Sequence, residues 1–443
     1  MTGSLRRCLG PVAVTAQAVG TVGLTLTAVF NIPEAMRSAG EATWISYAMA
    51  LVVMLLVGET LVLFRHLPGT PNGMAAYVTA GLGARSGAVA SWTLLLGYGA
   101  MLLGCLVFFG YFLEQLLVAL GWHAPRLLVY LLGGFGCLEL ARRDVQLSTR
   151  TMLVTETISA LIILALTALI VRDGWGAADL RAMNPLADTP AQVRSGLMVA
   201  VLSFLGFESA ANLGREALQP ERAVPRSIRT ALLIAGVLFM LWGAFLPEGF
   251  GWLPAAARQG LDPLSALAER LGRPGAGQWI KLGAVLCLFG SCLGSLTALA
   301  RLAYGLAQQR VLPLRLASVH PNYGTPDQAL LALGLPLVAG GAVVVQRHLT
   351  INQIFGLFGG FTVLGFLLVY GLVALSSLRV VLPGNSQRRR LLVGGSCLAA
   401  VTAMLVAYLS GVVGEQNGML LTFALLVLLG LLRVLRVADN RLR

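Results

Sequence analysis

Long apolar runs recur along almost the whole of this 443-residue chain. A helix needs about 20 predominantly apolar residues to cross a bilayer, where lipid offers the backbone no other hydrogen-bonding partner. We count twelve such runs, bounded by charged residues or by Pro and Gly clusters, and predict that each forms a membrane-spanning helix. They lie near residues 11–33, 43–64, 87–118, 125–141, 151–171, 193–213, 229–247, 277–306, 328–346, 353–378, 391–411 and 416–435.

The composition excludes a soluble domain. Hydrophobic residues make up 57% of the chain and charged residues only 12%, with a mean hydropathy of +0.80. The net charge of +13 does not indicate a nucleic-acid partner, because the arginines lie in short loops between apolar runs. We therefore predict a polytopic membrane protein surrounded by lipid.

The distribution of basic residues predicts the orientation. With both termini in the cytoplasm, the inner loops and ends carry 22 of the 32 basic residues and the outer ones carry 10. Cytoplasmic loops are enriched in Lys and Arg in this way. We therefore expect cytoplasmic N and C termini, an even number of spans, and a location in the inner, cytoplasmic membrane.

The polar residues do not indicate metal or enzyme chemistry. Five of the six cysteines fall inside apolar runs, where cysteine behaves as a small hydrophobic residue, and the four histidines have no ligand spacing. The sequence contains no clustered nucleophile and base and no P-loop. We predict no cofactor, no metal site, no enzymatic activity and no ATP hydrolysis.

Spans 1 and 6 share a pattern that indicates internal duplication. Each has Gly with Thr or Ser in mid-membrane, and the two longest spans, 3 and 8, also stand five apart. Because five is odd, such a repeat must be inverted in the membrane, as in many secondary transporters that hold substrate near the midplane. We predict a first repeat over residues 1–171, a second over 193–378, and a peripheral pair of helices with a short basic tail over 391–443.

Three groups of motifs carry a family resemblance. The sixth span and its exit contain Phe204-Leu205-Gly206-Phe207-Glu208, Arg215-Glu216, Pro220-Glu221-Arg222 and Val224-Pro225-Arg226-Ser227-Ile228. Before span 3 stand Pro71-Asn72-Gly73, Tyr77, Gly81 and Gly83, and after span 8 stand Arg301-Leu302-Ala303-Tyr304-Gly305-Leu306-Ala307, Val311-Leu312-Pro313, His320-Pro321 and Thr325-Pro326. Together they resemble the amino acid–polyamine–organocation (APC) superfamily over about residues 10–380.

The resemblance implies an all-α fold of twelve transmembrane helices: ten in a five-plus-five inverted repeat, the LeuT-like fold, and two peripheral helices. Helices 1 and 6 would be broken midway and bind an amino acid's carboxylate and amine through freed backbone groups, which suits the dipoles of half-helix ends. Relatives commonly have a Gly-Ser-Gly-type run before the Phe of helix 1. Here Leu26-Thr27-Ala28 precedes Phe30, so we expect the hydroxyls of Thr25 and Thr27 to replace part of that contact.

The candidate substrate site combines both predicted breaks with spans 3 and 8. Its predicted residues are Leu24, Thr25, Leu26, Thr27, Ala28, Tyr98, Ser203, Phe204, Leu205, Gly206, Phe207, Glu208 and Ser291. Their side chains are mostly apolar or hydroxyl, which favours a neutral, hydrophobic amino acid. We therefore predict a secondary active transporter that moves such an amino acid by alternating access.

Four residues are candidates for ion coupling: Glu208, Glu156, Ser159 and Ser295. A carboxylate at bilayer depth usually faces a pathway or cavity. Glu208 can couple protons, bind the substrate amine, or cap broken backbone, and Glu156 can couple or lie at the interface. Ser291 and Ser295 can ligate a cation or substrate, or allow close helix packing.

Several functional alternatives stay open on the sequence alone. The coupling ion can be H⁺ or Na⁺, or the protein can be an exchanger. The lysine-based coupling of many superfamily members is not supported, because Ser159 stands at that position and the single lysine, Lys281, lies at the outer end of span 8. A polyamine or cationic amino acid exchanger and a transporter-like membrane sensor are the other classes.

Overall fold

The computed structural model describes residues 5–65, 73–174, 190–258, 262–347, 349–380, 387–412 and 416–439. Pro71 and Asn72 of the predicted entry to helix 3 lie outside these ranges. Within them the chain is helical between its loops, with one isolated bridge that joins Leu9 to Ala217. This is the all-α arrangement predicted from the apolar runs.

Twelve long helices follow one another along the described chain. They are α1 (Pro11–Ala39), α2 (Thr43–Leu63), α3 (Met74–Ala119), α4 (Arg126–Arg143), α5 (Val145–Gly174), α6 (Ala191–Leu213), α7 (Pro220–Gly251), α8 (Ala276–Gln308), α9 (Asp327–Gln346), α10 (Ile351–Arg379), α11 (Gln387–Val412) and α12 (Asn417–Asp439). Eleven of them are long and apolar enough to cross a membrane.

The remaining helix is α4, which corresponds to the fourth predicted span. It has 18 residues and carries charge at both ends, with Arg126 at its start and Glu139, Arg142 and Arg143 near its end. Those charges lower its mean hydropathy without interrupting its apolar centre. The helix contacts α3, α8 and α9.

Burial separates a central group of helices from a peripheral one. In the most apolar stretch of α6 and of α8, 83% of the residues are buried inside the protein, against 28% for α11 and 22% for α12. Exposed leucines such as Leu421, Leu425 and Leu429 cover α12. The last two helices are therefore peripheral, and their apolar surface suits lipid.

The long helix α3 is a central support. Its backbone leaves the helical region at Gly83, where φ is 85° and ψ is 168°, so the segment before it forms a separate approach to the membrane-spanning part. The glycine was predicted to lie in a short loop before span 3. Beyond it, α3 contacts both α8 and α10 along their lengths.

Helices α1 and α6 are interrupted and lie side by side. The first half of α1 (Pro11–Val22) contacts Phe207–Leu213 of α6, and its last part (Ile32–Ala39) contacts the segment Pro190–Phe204, which leads into the α6 break. The chain directions are opposed, as the odd separation of the two helices requires. Their two breaks therefore meet in the centre of the protein.

A buried ion pair closes the half of the protein that contains the N-terminus. Arg301 near the end of α8 donates from Nε and Nη2 to the two carboxylate oxygens of Glu216, at 2.9 and 2.7 Å, and both side chains are 1% exposed. The backbone carbonyl of Glu216 also accepts from the N–H groups of Cys8 and Leu9. This pair joins α8, the segment after α6 and the N-terminal segment.

A second, exposed group of charges lies on the same side. Glu59 on α2 accepts from Arg229 on α7 at 2.6 Å and from Arg389 on α11 at 3.2 Å. Glu59 therefore joins α2 to α7 and α11.

Candidate substrate site at the two helix breaks

The break in α1 is centred on Gly23, directly before the predicted segment. Gly23 has φ 71° and ψ 65°, a left-handed conformation that glycine adopts without steric cost. A Cβ atom there would lie 2.6 Å from Oγ of Ser291 on α8. Both the backbone conformation and the close approach of α8 therefore require glycine at this position.

Side chains from α5 and α8 bind the backbone groups that the break frees. The N–H of Leu24 donates to Oε1 of Glu156, and the N–H of Leu26 donates to Sγ of Cys287 at 3.4 Å. The hydroxyl of Ser291 donates to the carbonyl of Gly20 at 3.1 Å. Buried backbone groups need such partners, so α5 and α8 stabilise the broken geometry.

The break in α6 follows Phe204. Gly206 has φ 111° and ψ −18°, and its N–H donates to Oε2 of Glu208 at 3.1 Å. A tighter helical segment, Phe207–Leu213, then continues toward the other side. The carboxylate of Glu208 therefore caps the break in its own helix.

Glu208 is also bound by two tyrosines from the supporting helices. Tyr98 on α3 donates to Oε1 at 2.7 Å and Tyr370 on α10 donates to Oε2 at 2.8 Å, and Glu208 is fully buried. Three donors thus share the carboxylate. The capping interpretation describes these contacts, and roles in coupling or amine binding stay predictions.

A small cavity, with a volume of about 70 Å³, opens beside the α1 break. Its wall contains Phe30, Phe108, Phe355 and Phe358, from α1, α3 and α10. Asn31, Ser291 and Thr362 contribute the polar side chains. None of the lining residues is Asp, Glu, Lys, Arg or His.

The predicted site residues divide into two groups around this cavity. Leu26 and Ser291 line it. The others are buried but do not line it: Leu24, Thr25, Thr27, Ala28, Tyr98, Ser203, Phe204, Leu205, Gly206, Phe207 and Glu208. The hydroxyls of Thr25 and Thr27 have no hydrogen-bond partner within the described residues, while Ser203 accepts from Nδ2 of Asn31 at 2.9 Å.

The aromatic wall was not predicted. Phe355 and Phe358 lie in a wide turn of α10, Phe355–Gly359, whose sequence FGLFG is rich in aromatic residues and glycine. That motif is the one local feature of the sequence that could have indicated the aromatic wall. Its position opposite Phe30, with ring centroids 5.0 Å apart, depends on contacts between distant helices.

The remaining coupling candidates lie on α5 and α8. Ser159 donates to the backbone carbonyl of Glu156 at 3.0 Å, and Oγ of Ser295 is buried without a hydrogen-bond partner among the described residues. The described part of the chain also contains no cluster of three His, Cys, Asp or Glu side chains that could hold a metal ion.

Comparison with known proteins identifies the class. The fold is similar to that of MhsT in its crystal structure with L-phenylalanine, with a TM-score of 0.59, 13% sequence identity, and coverage of 92% of this chain and 100% of MhsT. This likeness confirms the predicted LeuT-like fold of a multi-pass membrane protein.

The sequence then identifies the family. Residues 9–432 match the amino acid permease family model, so the chain belongs to that family and is related to transporters rather than enzymes. It is 26% identical to the L-methionine/branched-chain amino acid exporter YjeH of Escherichia coli over 94% of each chain. An uncharacterized transporter of Mycobacterium tuberculosis is 30% identical to this chain over 239 residues. The match covers 53% of this chain, and the chain spans about half (51%) of that transporter's length.

We expect Tyr370→Phe to weaken the attachment of α6 to α10. The substitution removes one donor to Glu208, and a hydrogen bond to a charged group contributes about 1.5–3 kcal/mol. The melting temperature of the purified protein in detergent should fall. Tyr408→Phe is the matched control, since no described residue hydrogen-bonds its hydroxyl. In a Glu208→Gln background, Tyr370→Phe should lower the melting temperature less than it does in the wild type. Equal decreases in the wild-type and Glu208→Gln backgrounds would contradict the interaction.

Proposed function

We propose that this permease is a secondary active transporter that carries a neutral, apolar amino acid across the inner membrane by alternating access. The observation that carries the proposal is the cavity beside the α1 break, whose wall combines four phenylalanines with three uncharged polar side chains. Apolar walls with a few placed polar groups are typical of small-molecule sites.

The polar groups suit the head of an amino acid. Oδ1 of Asn31 is buried without a hydrogen-bond partner among the described residues, so it is available to accept from an ammonium group. Ser291 donates its proton to Gly20 and keeps lone pairs directed at incoming donors. A substrate with its amine near Asn31 would place its side chain among the phenylalanines.

A polyamine or a cationic amino acid is a poorer fit. A second positive charge in an apolar cavity needs an acidic partner. Neither Glu156 nor Glu208 lines the cavity, and donors from the protein already bind both. A membrane sensor would bind the same ligand without moving it, so translocation distinguishes the two classes.

Alternating access requires that one side closes while the other opens. We propose that α1 and α6, the first helices of the two inverted repeats over 1–171 and 193–378, move together against the supporting helices. Three of the four lining residues of α1, Leu26, Phe30 and Asn31, follow its break at Gly23, on the side we predict to be external when both termini are cytoplasmic. The Arg301–Glu216 pair lies on the opposite, closed side.

Counterflow in proteoliposomes tests the proposal. Vesicles are preloaded in turn with each of the twenty amino acids and several diamines, and entry of labelled leucine is measured. We expect leucine, isoleucine, valine, methionine and phenylalanine inside to stimulate entry, because their side chains match the cavity wall. Stimulation by arginine or diamines alone would overturn the substrate class, and ligand-induced thermal stabilisation without any exchange would favour a sensor.

A cavity variant controls for the site of binding. A Cβ at Gly104 on α3 would contact only Cβ of Phe358, at 3.4 Å, so Gly104→Leu places a side chain in the cavity. Gly395→Leu on α11 is the matched control, since a Cβ there meets nothing within 4 Å. Gly104→Leu should depress phenylalanine exchange more than alanine exchange, whereas Gly395→Leu should leave both unchanged.

A further inference from the structure

Glu156 occupies an unusual position on α5. It lies in the interior of this membrane-spanning helix and is 2% exposed. Helices α1 and α8 cover it, so it faces the interface at which the α1 break is held. A carboxyl group at such a depth is expensive and indicates a function.

The hydrogen bonds of Glu156 satisfy only one of its oxygens. Oε1 accepts from the N–H of Leu24, the thiol of Cys287 lies 3.7 Å from it, and the backbone N–H of Thr25 also lies near the carboxyl group. Oε2 is buried and has no hydrogen-bond partner among the described residues. Glu208 differs, because donors reach both of its oxygens.

No cation among the described residues pairs with Glu156. From α8, Cys287 is the titratable group that faces it, while Lys281 pairs with Asp262 at 2.8 Å and Arg301 with Glu216. The first half of α1 and residues 24–33 contain no charged side chain. The remaining charged groups on α5 and its other neighbours α4 and α7 are not partners of Glu156: Arg126, Glu139, Arg142, Arg143, Arg150, Arg172, Glu221, Arg222, Arg226, Arg229 and Glu248.

A buried carboxylate without a cation is destabilised by the loss of its hydration, and a proton on its free oxygen removes that cost. We propose that Glu156 is the proton-binding group of the carrier and couples proton movement to amino acid transport. The proposal rests on the proposed transport function and deepens it by naming the coupling ion and its site.

The structure connects this group to the substrate cavity through two short paths. Leu24, which donates to Glu156, is two residues before Leu26, and Cys287 is one helical turn before Ser291. Leu26 and Ser291 both line the cavity. Charge-assisted hydrogen bonds are roughly twice as strong as neutral ones, so protonation weakens the bond between α5 and the α1 break. Proton and substrate thus act on the same break.

Glu156→Gln tests the proposal because it preserves shape and removes the titration. Labelled leucine uptake is measured in proteoliposomes under an imposed pH gradient of either polarity, and counterflow is measured at equal pH on both sides. A gradient of one unit sustains about tenfold accumulation through a carrier that moves one proton per substrate. We expect the wild type to respond to the gradient, and Glu156→Gln to lose that response while it keeps counterflow.

Glu139→Gln is the matched control, since it makes the same chemical change on α4 at a half-exposed carboxylate paired with Arg143. It should keep the gradient response. If Glu156→Gln accumulates leucine as the wild type does, or if a sodium gradient alone drives the wild type, Glu156 is not the coupling site. If no amino acid exchanges in the wild type, the proposed function itself has failed.

A chemical measurement on the wild-type protein provides a second test in case Glu156→Gln does not fold. Dicyclohexylcarbodiimide reacts with protonated carboxyl groups in apolar surroundings, and mass spectrometry identifies the modified peptide. We expect modification at Glu156 that decreases as the pH is raised and that inhibits pH-driven uptake. Complete absence of modification at Glu156 together with full modification of Glu208 would overturn the proposal.

Discussion

Replacement of Gly206 by alanine is expected to reduce counterflow by about 100-fold or more, because the substitution costs on the order of 3 kcal/mol at the α6 break. The φ of 111° is unfavourable for any residue with a side chain. A Cβ there would also lie 2.9 Å from both the backbone C and O atoms of Thr21 on α1. Because those are backbone atoms, the two broken helices would have to move apart.

Initial rates of leucine counterflow measure this effect, normalised to the amount of reconstituted protein. Gly395→Ala is the control, since a Cβ at that position has open space around it. It should transport at the wild-type rate. Wild-type transport by Gly206→Ala would show that the α6 break does not need the close approach to α1.

Glu216→Ala is expected to produce the largest loss of stability. It leaves the guanidinium of Arg301 buried and unpaired, and the removal of one partner from a buried pair costs about 3–5 kcal/mol. Among the described residues, the Arg301 side chain then keeps one acceptor, the carbonyl of Thr297 at 3.3 Å. The melting temperature in detergent and the monodisperse fraction after purification should both fall sharply.

Two comparisons separate charge from packing in this prediction. Glu139→Ala removes a half-exposed partner of Arg143 and should change the melting temperature little, because water screens exposed ion pairs and they contribute little to stability. The double variant Glu216→Leu with Arg301→Met removes both charges and should recover part of the stability. If Glu216→Ala is as stable as the wild type, the ion pair between Glu216 and Arg301 does not stabilise the fold.

The two membrane carboxylates show how local sequence and tertiary structure contribute to a site. The sequence marked both as candidates for ion coupling, but it left open that Glu208 caps broken backbone and that Glu156 lies at the interface. Tyr98 and Tyr370 come from positions 110 and 162 residues away from Glu208, and together with Gly206 they satisfy its two oxygens. Leu24, 132 residues from Glu156, reaches only one oxygen of that carboxylate. These distant contacts separate a capping group from a candidate proton site.

The sequence by itself determined the membrane class, the helical fold and the approximate position of each span, because lipid leaves the backbone no other way to satisfy its hydrogen bonds. The sequence also predicted a break in span 6, and Gly206 lies there with a backbone conformation that few other residues adopt. Only the tertiary structure decided the cavity. Its wall joins Phe30 to Phe355, and the shape of a space between helices depends on how their side chains meet rather than on any one helix.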